Sequence, residues 1–135
     1  MRIALDCRFQ KGGGPNLATR YLAEHLLRID RNNDYLVIQH EGPPIGQDAG
    51  ARTLMVPTQR RWAEFLWVQG ALPRILRRES IDIYHSLKHV GPLRCPARMI
   101  LTCHAVSQFL PGMQELGTID RLYWRVIAAM AWRRA

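Results

Sequence analysis

At 135 residues, 47% hydrophobic and 22% charged, the chain has the size and composition of one globular domain with a real core, which excludes an intrinsically disordered segment. Its formal charge of +8 comes almost wholly from arginine, since Lys11 and Lys88 are the only lysines; that bias suits phosphate or acidic surfaces and equally suits an arginine-rich codon usage. Charges interrupt every apolar run short of the ~18 residues of a spanning helix, and the odd trio Cys7, Cys95 and Cys103 has no C-x-x-C spacing. The expectation is a cytoplasmic protein whose only membrane contact would be peripheral, at the inner membrane.

In chain order, Arg2 to Cys7 reads as a short apolar strand, and Lys11-Gly12-Gly13-Gly14-Pro15-Asn16 as a loop. A helix follows, with Ala18, Leu22, Leu26 and Ile29 on one face and Asn16 placed to cap its amino terminus. Tyr35 to Gln39 and Arg52 to Val56 read as buried strands, separated by a loop rich in glycine and proline. Trp62 to Arg78 is a helix that Gly70 and Pro73 should bend or divide. Ile81 to His85 and Met99 to His104 are two more strands, each ending in histidine, and Ile119 to Ala135 carries the strongest helical periodicity, with the stripe Ile119, Leu122, Tyr123, Val126, Ile127, Met130 and Ala131. Short apolar strands alternating with helices predict an α/β, Rossmann-like fold: a mostly parallel sheet with helices on both faces, over a single domain spanning residues 1–135.

In such a sheet ligands bind outside the carboxyl ends of the strands. Three features map there: the loop containing Gly13 and Gly14 with Asn16 behind it, His85 with Ser86, and His104. The glycines permit positive φ and close backbone approach, but their spacing matches neither G-x-G-x-x-G nor a P-loop, so a plain turn remains the competing reading. Each histidine could donate hydrogen bonds to a sugar hydroxyl or phosphate, or be a satisfied, partly buried imidazole. No His/Cys/Asp/Glu set has metal-ligand spacing, so no metal or other cofactor is expected. The arginines do not interleave with aromatics, and no nucleic-acid motif appears, which argues against a nucleic-acid partner. Trp62, Trp67, Trp124 and Trp132 read first as core or interface residues and second as stacking platforms. The basic last helix has three readings: a solvated charged face, a surface docked against another domain, or a helix lying on an anionic membrane. Hydrolysis by Asp6 and Asp82 is a weak further reading, since nothing sets the two carboxylates face to face.

Four stretches taken together, IALDCRFQKGGGPN, FLWVQGALPRIL, IDIYHSLKHVGPL and MILTCHAV with the final YWRVIAAMAWRRA, resemble the amino-terminal domain of the GT-B fold, specifically the retaining glycosyltransferase family 4. The resemblance implies that Gly13, Gly14 and Asn16 border the acceptor and the donor diphosphate, that His85 and Ser86 line the acceptor side, and that His104 lies beside the transferred sugar as the catalytic candidate. It implies transfer of a sugar from a nucleotide-diphosphate sugar to a sugar or lipid-linked acceptor, with retention and without a bound metal. The chain departs from the family pattern at Pro15-Asn16, where a further glycine is common, and at Ala105, where an aspartate is common. The family's donor site lies in a second domain that these residues do not include, so the expectation is an acceptor-side half, inactive alone. The competing expectation is a noncatalytic module of the same fold that docks a partner domain or a membrane.

Overall fold

The computed structural model describes residues 1–8, 14–56, 61–88, 90–104 and 124–135; Gly13 and residues 119–123, singled out above, lie outside them. Five strands, β1 (Arg2–Asp6), β2 (Asp34–Gln39), β3 (Arg52–Met55), β4 (Ile83–Ser86) and β5 (Arg98–Leu101), form one all-parallel sheet in the order β3-β2-β1-β4-β5. Starting from the central β1, the chain builds outward to β2 and β3, then crosses back to place β4 on the other side of β1. The strand order reverses between β1 and β4, where Asp6 pairs with Ser86 at the carboxyl edge. The expected α/β, Rossmann-like sheet is present, and it is parallel throughout.

Strand parity sorts the core into two layers, because successive side chains point to opposite faces. Ala4, Leu36, Ile38 and Tyr84 pack with Val68, Leu72 and Leu76 on one side. Leu5, Tyr35 and Val37 pack with Ala23 and Leu27 of α1 (Gly14–Ile29) on the other. Of the face read for helix α1, only Leu26 packs against the core, half-buried. Thr19, Ala23 and Leu27 turn inward, while Leu22 is exposed and Ile29 is 76% exposed. Small residues at 19 and 23 let the helix approach the sheet closely, and burying the Leu22 face would lift it away. The helix also starts at Gly14, so Asn16 lies inside its first turn and does not cap it.

The segment expected to bend at Gly70 and Pro73 is α2 (Arg61–Leu66), a π turn (Trp67–Ala71) and α3 (Leu72–Arg78). Pro73 brings no N–H, and the wider turn just before it closes through Leu72 N–H donating to the Trp67 carbonyl. From this π turn the Gln69 side chain accepts from Leu93 N–H at 2.9 Å and approaches the Gly91 carbonyl at 3.4 Å, fastening the β4–β5 loop. The last helix likewise contains a π turn (Trp124–Ala128) before α4 (Ala129–Trp132). Of the expected stripe, Ala131 is buried and Ile127 half-buried, while Val126 and Met130 are exposed; Ala128, outside the stripe, is buried where the π turn shifts the helical phase. Strands β4 and β5 end at Ser86 and Leu101: His85 lies within β4, and His104 lies three residues beyond β5. Among the described residues no helix is long and apolar enough to cross a membrane.

The inward face of α1 has a direct test. Leu27→Ala should cost about 2–5 kcal/mol of unfolding free energy in urea titrations, whereas Ile29→Ala should stay within about 0.5 kcal/mol. Equal losses would mean that α1 packs through the leucine stripe after all.

Candidate functional site

The carboxyl edge at the β1–β4 reversal carries two polar walls, one on each face of the sheet. On the α2 side, Asp6 ends β1 fully buried, and Arg8 grips it with both arms: Nε donates to Oδ1 at 2.7 Å and Nη2 to Oδ2 at 2.6 Å. The register that pairs Ala4 with Tyr84 brings the Tyr84 hydroxyl to Oδ2, to which it donates. The Arg8 guanidinium stacks 4.6 Å above the Trp67 ring, where a weakly hydrated planar cation is well suited. Its remaining Nη1 lies 3.4 Å from Oε1 of Glu64 on α2, and Lys88, two residues beyond β4, donates to that same oxygen at 2.8 Å.

Burial alone would push both carboxyls up. For Asp6 the adjoining Arg8 charge and hydrogen bonds outweigh it and hold the group at about 2, below the ordinary 3.8. For Glu64 the facing His40, with Lys88 and Arg8, brings the group from 4.5 to about 2. Burial, reinforced by the Asp6 charge, pushes Tyr84 well above 10 and raises the Cys7 thiol, so both stay neutral at physiological pH.

On the α1 side, His104 Nε2 lies 2.9 Å from the Leu87 carbonyl and 3.4 Å from Thr19 Oγ1. A carbonyl can only accept, so Nε2 carries the proton in that bond. His85 Nε2 lies 2.8 Å from Thr102 Oγ1, and burial lowers its pKa from 6.5. Ser86 Oγ is occupied in the turn after β4: it lies 2.9 Å from the Lys88 carbonyl and 2.7 Å from that of Val90, and accepts from Lys88 N–H. Asn16, Thr19, Cys7, Gln39 and His40 line a cleft of about 200 Å³ beside the ends of β1 and β2. Its outer lip is shaped by Gln39, whose Nε2 reaches the carbonyls of Glu41, Gly42 and Pro43 while Oε1 accepts from Ile45 N–H.

Of the residues singled out from the sequence, the structure therefore brings His104 to Leu87, next to Ser86, and connects it through Thr19 to the helix that carries Gly14 and Asn16. His85 stands apart, paired with Thr102. Sequence reasoning missed Arg8, Thr19, His40, Glu64 and Lys88. Two signals were present: Lys88 is one of two lysines, and Glu64 is the only carboxylate between Asp48 and Glu79, in a stretch holding six arginines. Asp6 and Asp82 stand at opposite ends of the sheet, since Asp82 precedes β4 and its Oδ2 accepts from Arg2 N–H, so they cannot flank a common bond. Among the described residues no three His, Cys, Asp or Glu side chains are grouped to hold a metal ion.

Comparison with family models, with curated proteins and with solved structures found no match. Fold and site together define an α/β, Rossmann-like domain with a buried ionic network at the strand-order reversal.

Asp6 and Glu64 both have folded pKa values of about 2, below their ordinary 3.8 and 4.5, so their stabilising effect is complete above about 4.5 and disappears as pH falls toward 2. His85, whose pKa is lowered, acts in the same direction below 6.5. Thermal unfolding should therefore show a midpoint that declines slowly below pH 6.5 and steeply below pH 4.5. At neutral pH, Asp6→Asn should cost about 3–5 kcal/mol, because Arg8 is left buried without its partner.

Proposed function

We propose that this domain is the acceptor-side half of a retaining, GT-B-type glycosyltransferase that moves a sugar from a nucleotide-diphosphate sugar to a sugar or lipid-linked acceptor. The observation that carries the reading is the position of His104. Its ring is held by the Leu87 carbonyl and Thr19 at the carboxyl edge of a sheet ordered 3-2-1-4-5, beside the helix that begins at Gly14.

In this reading the cleft lined by Asn16 and Thr19 receives the acceptor, and its size suits part of a sugar ring. His104, its Nε2–H held by the Leu87 carbonyl, sets its ring beside the transferred sugar and restrains its orientation. The departing diphosphate is stabilised by donors already in place, mainly those of a second domain closing over this edge. His85 and Ser86 act from behind: Ser86 shapes the turn that carries Leu87, and His85 braces β4 against Thr102.

A second reading, a noncatalytic docking module, is favoured by the apolar surface on α1, where Leu17, Tyr21, Leu22 and Ile29 are all exposed. Co-expression with a donor-binding domain and assay against a panel of nucleotide sugars separates the two. The transferase reading expects sugar transfer that falls about 100-fold in His104→Ala, with Leu22→Ser/Ile29→Ser unaffected. Absence of transfer from every donor, with domain association lost in Leu22→Ser/Ile29→Ser, would favour the docking module; unchanged turnover in His104→Ala would remove that side chain from the mechanism.

A further inference from the structure

Three basic side chains from three different strand ends meet at a single oxygen. Arg8 follows β1, His40 follows β2 and Lys88 follows β4; they reach Oε1 of Glu64 at 3.4, 3.8 and 2.8 Å. All are withdrawn from water, with side-chain exposures of 2% for Arg8, 1% for His40, 17% for Lys88 and 16% for Glu64. Asp6 occupies Nε and Nη2 of Arg8, so Nη1 is the edge turned toward Glu64.

Oε1 leaves one group of this set without a hydrogen bond. His40 shows the shortfall: its Nδ1 lies 3.1 Å from the Val56 carbonyl, which fixes the ring, and its buried Nε2 has no hydrogen-bond partner among the described residues. At 3.8 Å, Glu64 is a neighbour that lies beyond hydrogen-bond reach. Buried polar atoms are almost always paired, so an unpaired one aimed into a cluster of cations marks a missing acceptor or donor. Glu64 sits on α2, outside the five paired strands, so its side chain takes no part in holding the sheet together.

We propose that Arg8, His40 and Lys88 form a binding site for a phosphate group, and that Glu64 occupies it as a tethered substitute anion until the ligand displaces it. A phosphate offers several oxygens where the carboxylate offers one to all three groups. It can accept from Lys88 and Arg8 while either accepting from His40 Nε2 or donating its own P–OH to it. The position, at the carboxyl edge where the strand order reverses, is where open α/β sheets take their ligands. The site stands on side-chain geometry alone and is independent of the transferase reading.

Titration of the full chain with inorganic phosphate in chloride buffer tests it, followed by calorimetry and by NMR of labelled histidine rings. Glu64→Gln should lower the Kd for phosphate by about ten-fold relative to wild type, as expected for removing one competing charged partner, and should shift the His40 ring signals on binding. Lys88→Met added to Glu64→Gln should abolish that gain. Glu64→Asp keeps the counter-charge but shortens its reach, and should tighten binding in the same direction if Glu64→Gln fails to fold. Equal phosphate affinity in wild type and in the Glu64 variants, or a gain that survives Lys88→Met, would overturn the site. A parallel titration with glycerol 1-phosphate and uridine diphosphate identifies the source of the phosphate: tighter binding of the first assigns a phosphate ester, of the second a nucleotide.

Discussion

The fold depends on how one buried charge is handled at the end of its central strand. Asp6 lies where β1 stops, with β2 on one side and β4 on the other, and a lone carboxylate there would be severely destabilising. Arg8 answers it with a two-pronged hydrogen-bonded pair, made two residues later by the same chain. That local solution recruits distant segments. Tyr84 ties β4 to the pair, Trp67 covers the guanidinium from the π turn, and Glu64 and Lys88 extend the network to α2 and to the loop after β4. Breaking a buried pair by removing one member is far more costly than leaving both out, so the network fixes the mutual placement of four segments more firmly than it adds to net stability.

Much of the architecture could be read from the sequence because parallel strands buried on both faces leave short, uniformly apolar runs. All five strands were placed within a few residues. Boundaries failed where polar residues continue a strand's path without its pairing: Thr102, Cys103 and His104 prolong the run after Leu101, yet β5 ends there. The buried face of α1 could not be read from periodicity, since its inward positions are Thr19, Ala23 and Leu27, and a pattern of leucines points to the wrong side when close approach matters more than side-chain size.

The candidate site was partly legible. His104 announces itself by ending an apolar run and Asn16 by following a glycine-rich one, whereas Arg8, His40, Glu64 and Lys88 come from four separate segments and acquire meaning only when the sheet assembles them. No spacing rule connects residues 8, 40, 64 and 88. What the sequence does hold is scarcity: a single carboxylate within a long arginine-rich stretch must satisfy some cation, and the fold shows which ones. At the last helix periodicity placed Ala131 inward but misplaced Val126 and Met130, since a π turn consumes one extra residue and shifts the phase.

The side chain of Gln69 joins two elements that are far apart in the chain. It leaves the helical layer at the π turn and takes hold of the backbone at Gly91 and Leu93, tying the crossover segment to the β4–β5 loop. Arg134 adds a third strap by donating to the Leu93 carbonyl from the turn after the last helix. The ionic wall and the opposite rim of the sheet thus share one crossover: α2 carries Glu64, and the π turn continuous with it carries Gln69.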